Sequence, residues 1–314
     1  MEPLLLPPMW RDGVERKNKS MSAKSVSAWI EAMRLRTLPV SLSGVVTAIA
    51  LCFLSGSFRA VPAILCFAFA LLAQIASNFA NEYFDYRDGL DAPGRVGPRR
   101  GVTEGDITPR AMCAATFAVL AVACAVGFGL IPFGGWWLIG AGIFIVVGAL
   151  AYSAGPYPLS RHALGEVAVL MFFGLIPVCL TYMLVSGRAL TPTVVCAALG
   201  IGLMGVNVLV VNNYRDRKDD QAVGKTTIAT LWPRSAIMLI YLFGGIAGIA
   251  LTLPAWLELS WWWLIVPAAA VCDHFANWVA FGTAKGKRFN PLLGRTSLLM
   301  GALSLALLIG ALVA

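Results

Sequence analysis

The sequence predicts an all-α membrane protein: nine transmembrane helices in a ring of two four-helix halves plus one, around a central cavity. Three observations carry that expectation. Of 314 residues, 59% are hydrophobic and only 13% charged, with a mean hydropathy of +0.77, whereas soluble domains carry about 25% charged residues. Nine apolar stretches each approach the roughly 20 residues that a helix needs to cross a bilayer. Of the 24 Lys and Arg, all but Arg59 and Arg188 fall in segments that such a path places on one side of the membrane.

Residues 1–21 read as a disordered extension, with Met21 an alternative start. The apolar run there is short, broken by Pro and placed before the basic cluster, which is not the pattern of a secretory signal. Residues 22–314 read as a single domain. In SVSAWIEAMRLR, residues 25–36, Val26, Trp29, Ile30 and Met33 share one helical face. That suits a helix lying on the membrane surface, or a cytosolic extension of the first span. The spans follow at 38–56, 60–81, 111–131, 135–154, 164–186, 192–213, 235–253, 261–281 and 292–313. The positive-inside rule puts the N-terminus and the even-to-odd loops in the cytosol and the C-terminus outside, with a bacterial inner membrane as the setting. The net charge of +8 is explained by that asymmetry, and no compact basic domain is left to read nucleic acid. The seven Cys form no CxxC pair and read as small buried hydrophobes, not as a disulfide or zinc framework.

Two short stretches break the apolar pattern. NEYFDYRDGLD, Asn81 to Asp91, ends the second span, and NNYRDRKDD, Asn212 to Asp220, ends the sixth. Aligned without gaps they share Asn, Tyr, Asp and Asp at positions one, three, five and eight. Asn81 and Asp85 are one helical turn apart, as are Asn212, Asp216 and Asp220, while Asp91 follows a turn that Gly89 permits. Asp88 and Asp219 lie off that face and read as outer or solvated groups. Equal placement at the ends of spans two and six suggests two related halves whose motifs face each other across the cavity.

Clustered carboxylates cannot all stay ionised without counter-charge. A hard divalent cation with oxygen ligands supplies it, and Mg²⁺ takes one or two carboxylates with water and a substrate phosphate. Two such sites would clamp a diphosphate. Arg95, Arg99, Arg100 and Lys225 add donors suited to its oxygens.

The stretches NEYFDYRDGLDAPGRVGPRRGVTEGDIT and NNYRDRKDDQAVGKTTIA resemble the UbiA superfamily of intramembrane prenyltransferases. Five residues separate Asp85 from Asp91, a spacing similar to that of the branch acting on 1,4-dihydroxy-2-naphthoate, as are RVGPRRG and AYSAGPYPLSRHALGEVAVLMFFG. The resemblance implies a Mg²⁺-dependent enzyme that takes a polyprenyl diphosphate and 1,4-dihydroxy-2-naphthoate within the lipid bilayer. It implies that Asp85, Asp91, Asp216 and Asp220 hold two Mg²⁺ ions, with Asn81 and Asn212 beside them. Arg95, Arg100 and Lys225 would bind the diphosphate. Glu82 and Glu166 stand where the family usually has Asp. Tyr152 and Arg161 read equally as acceptor contacts or as interface anchors, His162 as an interface residue. Asp273 and His274, in the middle of span eight, should face the cavity or pair locally. Two rival readings remain: a related prenyltransferase with 4-hydroxybenzoate or a similar acceptor, and a transporter, whose site would sit near the midplane.

Overall fold

The structure, a computed structural model, describes residues 25–35, 38–91 and 97–314. The proposed N-terminal extension and Arg95 lie outside the described residues. Ten main helices follow in order: α1 Ser25–Met33, α2 Leu38–Leu54, α3 Ala60–Arg87, α4 Pro109–Phe128, α5 Trp137–Ala151, α6 Gly165–Ser186, α7 Pro192–Ala222, α8 Arg234–Leu257, α9 Ile265–Thr283 and α10 Phe289–Val313. Seven of these, α3, α4 and α6 to α10, are long and apolar enough to cross a membrane, if the turn of Trp261–Leu264 is counted with α9 and that of Gly286–Arg288 with α10. An eighth is added if α1 and α2 form one bent span. The remaining helix, α5, is apolar throughout but only 15 residues long.

Local chemistry sets the boundaries. Pro109 and Pro192 each occupy the first helical turn, where no amide hydrogen is needed. Thr108 and Thr191 cap these helices by accepting from Ala111 and Val194. Gly187 ends α6 in the left-handed conformation at φ 72°. Within α6, residues Leu170–Leu175 make a π-helical turn. That widened turn puts the neighbours Phe172 and Phe173 both on the cavity wall.

Packing is uneven around the bundle. In its most apolar window α7 has 72% of its residues buried, against 22% for α3 and for α4. It packs against α2, α6, α8 and α10. Its approach to α6 is backbone to backbone: a Cβ on Gly174 would lie 2.4 Å from the Gly202 Cα. Small residues permit such contacts between membrane helices, where packing is the main attraction. In contrast α5 buries no residue at all and forms one side of the cavity. Trp136 and Trp261, 77% and 83% exposed, mark the end of the bundle opposite the motifs, as interfacial tryptophans do.

The helix α1 docks through Ala28 and Ala32 against Phe79, Val102 and Ile107. Trp29 meets Phe79 edge to face at 5.4 Å. Val26 and Ile30 stay exposed, so the predicted apolar face is divided between protein and surroundings. The cysteines divide too: Cys52 and Cys66 are buried, but Cys272 is exposed on α9, which corrects the reading of all seven as buried. A membrane-embedded thiol can face lipid without a polar penalty that would force it inside.

Candidate active site

Both motifs end helices that wall the same cavity, of about 480 Å³. Its polar end holds Arg34, Asn81, Tyr152 and Asn212, and its deeper part is lined by apolar side chains such as Leu138, Phe172 and Leu184. The helical-face argument is confirmed by burial. Asp85, Asp216 and Asp220 are buried at 4–7% exposure, while Asp219 is exposed and the Asp88 side chain is 24% exposed.

The first motif is held by residues from three other segments. Arg100, itself buried, lies 3.2 Å from Asp91, 3.7 Å from Asp85 and 4.0 Å from Glu82. Its Nη2 also donates to Asn81 Oδ1 at 3.0 Å. Arg161 lies 3.5 Å from Asp85 and donates to Asp88 at 2.7 Å. Arg34, just after α1, donates to Asn81 Oδ1 at 2.6 Å from a backbone at φ 54°. Asn81 in turn donates to Asp85 Oδ2 at 3.0 Å.

Among the described residues, the cations on the second motif come from its own neighbourhood. Arg215 binds Asp216 with two bonds, Nε to Oδ1 at 2.7 Å and Nη2 to Oδ2 at 2.8 Å, and donates to Asn212 Oδ1 at 2.9 Å. Lys225 Nζ lies 3.3 Å from Asp220. The loop that carries Arg161 is joined to the one behind the second motif: Thr226 N donates to Arg161 O at 3.1 Å and Ala163 N to Thr226 O at 3.0 Å.

The two departures from the family pattern turn out to be tethers. Glu82 Oε1 accepts from Val102 N at 3.0 Å and fixes the loop that carries Arg100. Glu166 Oε1 accepts from Asn213 at 3.0 Å, tying α6 to α7. Tyr152 lines the cavity and Arg161 reaches the carboxylates, so both lie at the site. His162 instead stacks on Tyr157 at 3.6 Å between ring centres. Asp273 pairs with Arg295 at 3.6 Å and with Asn277, and His274 meets Leu242 O at 3.1 Å; neither lines the cavity. Local pairing is therefore the outcome for that mid-span charge.

Asp88 lies just past the end of α3, between the guanidinium groups of Arg87 and Arg161. The hydrogen bond from Arg87, then those from Arg161, hold it below the usual carboxylate range against partial burial. Arg34 and Arg215 were missed by sequence reasoning. Arg34 is far from both motifs in sequence. Arg215 takes the place of Phe84 in the gapless alignment, and that mismatch was its one available signal.

The donors fit a hard cation. They are carboxylate oxygens arranged in pairs: Asp85 and Asp91 within reach of one guanidinium, Asp216 and Asp220 one turn apart. Among the described residues no three or more Asp, Glu, His or Cys gather into a closed cage. Such pairs suit Mg²⁺, which completes its shell with water and phosphate oxygens.

The UbiA prenyltransferase family model matches residues 42–292. A 1,4-dihydroxy-2-naphthoate octaprenyltransferase of Escherichia coli is 32% identical over 266 residues, 80% of this chain and 84% of that protein. One from Mycobacterium tuberculosis is 31% identical over 284 residues, covering 90% and 96%. Among solved structures, a UbiA homologue from Archaeoglobus fulgidus bound to DMAPP and Mg²⁺ matches with a TM-score of 0.57 at 16% identity, covering 88% of this chain and 99% of that one. An apo UbiA homologue from Aeropyrum pernix matches with a TM-score of 0.64 at 17% identity, covering 84% and 96%.

Proposed function

The chain belongs to the UbiA prenyltransferase family, and from that premise we propose that it transfers a polyprenyl group from its diphosphate to 1,4-dihydroxy-2-naphthoate. Carbon dioxide and diphosphate are released and the quinol form of demethylmenaquinone is left, with no change in the oxidation state of the ring. One observation carries the reading: a single cavity joins the polar ends of both acidic motifs to a long apolar interior, in a chain similar to two naphthoate octaprenyltransferases. A prenyl diphosphate has that same division, a charged head on a greasy tail.

The roles follow from placement. Asp85 and Asp91 on one side, and Asp216 and Asp220 on the other, would hold two Mg²⁺ ions. When bound, the metal neutralises charge developing on the diphosphate. Arg100, Arg161 and Lys225 already sit on these carboxylates and would turn to the diphosphate oxygens, where guanidinium bonds are strong. Arg95 belongs to the same loop as Arg100 and would serve the same end. Asn81 and Asn212 orient the carboxylates and face the cavity. Tyr152 and Phe172 present π faces to the allylic group, which carries positive charge as its C–O bond breaks. The electron-rich ring then attacks that carbon, and loss of CO₂ restores aromaticity. Burial under α1 and the loops keeps water from competing for the cation.

In the membrane the chain is read as nine spans forming a ring, with motif loops and N-terminus cytosolic and C-terminus outside. The test of function is direct. Purified protein is given a prenyl diphosphate, Mg²⁺ and either 1,4-dihydroxy-2-naphthoate or 4-hydroxybenzoate, and products are read by mass. The expected product from the naphthoate has gained the prenyl group and lost CO₂, and its formation stops on chelation. A product that keeps its carboxylate, turnover only with 4-hydroxybenzoate, or transport without any product would overturn the assignment.

A further inference from the structure

The two motif helices wall the cavity with opposite chemistry at the same depth. Counting back from the first Asn of each motif, the cavity-lining positions on α3 are Asn78, Ser77 and Gln74, and their counterparts on α7 are Leu209, Val208 and Gly205. The α3 wall is therefore polar for about 10 Å below Asn81, seven residues at 1.5 Å each. Below Gln74 it turns apolar, through Ala73, Ala70 and Phe69. The α7 wall is apolar from Leu209 onward.

A polar side chain inside a membrane span is costly unless it is satisfied. Asn78 is satisfied by the chain: its Nδ2 donates to Met33 O at 2.9 Å and its Oδ1 accepts from Gln74 Nε2 at 3.1 Å. Gln74 thus spends one amide hydrogen, and its carbonyl oxygen meets no donor among the described residues. It is the deepest hydrogen-bonding group on that face. Across from it Gly205 is closely packed: an added Cβ would lie 3.2 Å from Val169 and 3.7 Å from Met300 and Phe173, so even a methyl group there crowds the α7 wall.

We propose that the cavity is divided lengthwise between its two substrates: the hydroxylated aromatic acceptor lies on the α3 wall, with Gln74 accepting a hydrogen bond from the 4-hydroxyl, the one not engaged by the neighbouring carboxylate, and the prenyl chain lies along the α7 wall at Gly205. The division rests on the prenyltransferase reading and says which wall takes which substrate. An acceptor with two hydroxyls has donors for Gln74, whereas an isoprenoid chain has none and would leave the amide unpaired, an unfavourable outcome in a dry site.

The experiment uses Gln74→Leu and Gly205→Ala in the full-length protein, with KM measured separately for 1,4-dihydroxy-2-naphthoate and for the prenyl diphosphate. The competitor 1-hydroxy-2-naphthoate, which lacks one ring hydroxyl, serves as the probe of the hydrogen bond. Gln74→Leu should raise the naphthoate KM about tenfold and leave both the prenyl diphosphate KM and the competitor's inhibition constant unchanged. Gly205→Ala should raise the prenyl diphosphate KM and spare the naphthoate. A merely structural role for Gln74, holding Asn78 and the end of α1, would lower thermal stability without separating the two KM values. If Gln74→Leu fails to fold, Ser77→Ala on the same wall gives the same split at smaller size. Variants on both walls that affect one substrate alike, or a competitor that weakens in step with the naphthoate, would overturn the division. Wild-type protein that makes no product from the naphthoate would instead overturn the function reading itself.

Discussion

The ends of α3 and α7 carry the same Asn, Tyr, Asp and Asp in register, yet they are stabilised by different means. At the end of α3 the counter-charges come from afar: Arg34 before the first span, Arg100 in the following loop and Arg161 beyond α5. At the end of α7 those among the described residues are local, Arg215 beside Asp216 and Lys225 just after Asp220. The second position differs likewise. Glu82 fastens a loop, whereas Asn213 fastens a neighbouring helix. The two ends share buried carboxylates beside the asparagines that line the cavity, and differ in what supports them. The shared constraint is where the carboxylates stand, and any cation in reach can balance their charge.

The largest effect should come from the shared residues and be equal on both sides. Asp85→Asn and Asp216→Asn keep side-chain shape and remove one charge each. Each should lower kcat on the order of 10²–10³-fold while the protein still unfolds cooperatively. Steady-state assays at saturating Mg²⁺ decide it. Near-normal rates in both would mean that the metals are misplaced, and a loss in only one would mean that the halves are not functionally paired.

The supports should separate the halves. Arg100→Gln removes a buried cation that joins a loop to α3 and leaves Glu82, Asp85 and Asp91 close together. Breaking a buried pair in this way costs about 3–5 kcal/mol. Arg215→Gln breaks a pair that is at least as buried and carries a similar charge cost, but its bonds lie mostly within one helix, with a 3.3 Å contact to Asn290 as its tie to another, so no loop is released. Thermal unfolding in detergent would show the larger drop for Arg100→Gln. Equal drops would mean that Arg100 holds no loop in place.

What the sequence disclosed and what it hid follow the same line. The membrane class and the buried face of each motif were legible because hydropathy and the helical period are local properties. Asp85, Asp216 and Asp220 fell inward and Asp219 outward as spacing demands. The use of Arg34 was hidden, because its contact with Asn81 depends on how α1 folds back over α3. The unequal walls needed the cavity itself: Gln74 reads as one polar residue in an apolar run until its counterpart across the space is seen to be Gly205. The π-helical turn in α6 likewise has no simple pattern, since it changes a helix's register without interrupting its hydrophobic run.

The smallest effect concerns the eighth position, where the halves share an Asp that points away from the cavity. Asp88 accepts from Arg87 and Arg161, whereas Asp219 is exposed. The pKa of Asp88 is depressed in the folded protein, chiefly by the hydrogen bond from Arg87. Its contribution to stability is therefore present above the usual carboxylate range and lost as pH falls through the folded value. With its side chain 24% exposed, that contribution should stay below about 1 kcal/mol. Asp88→Asn should accordingly lower the unfolding midpoint slightly at neutral pH, and the gap from wild type should close under acid. It should also slow turnover a few-fold (roughly, for one partly exposed charged hydrogen bond), because Arg161 loses one of the groups that aim it at Asp85. Asp219→Asn should change neither. A pH-independent gap for Asp88→Asn would remove the charge explanation. A larger defect in Asp219→Asn would mean that the outward face of α7, and not the support of Arg161, is what the shared eighth position preserves.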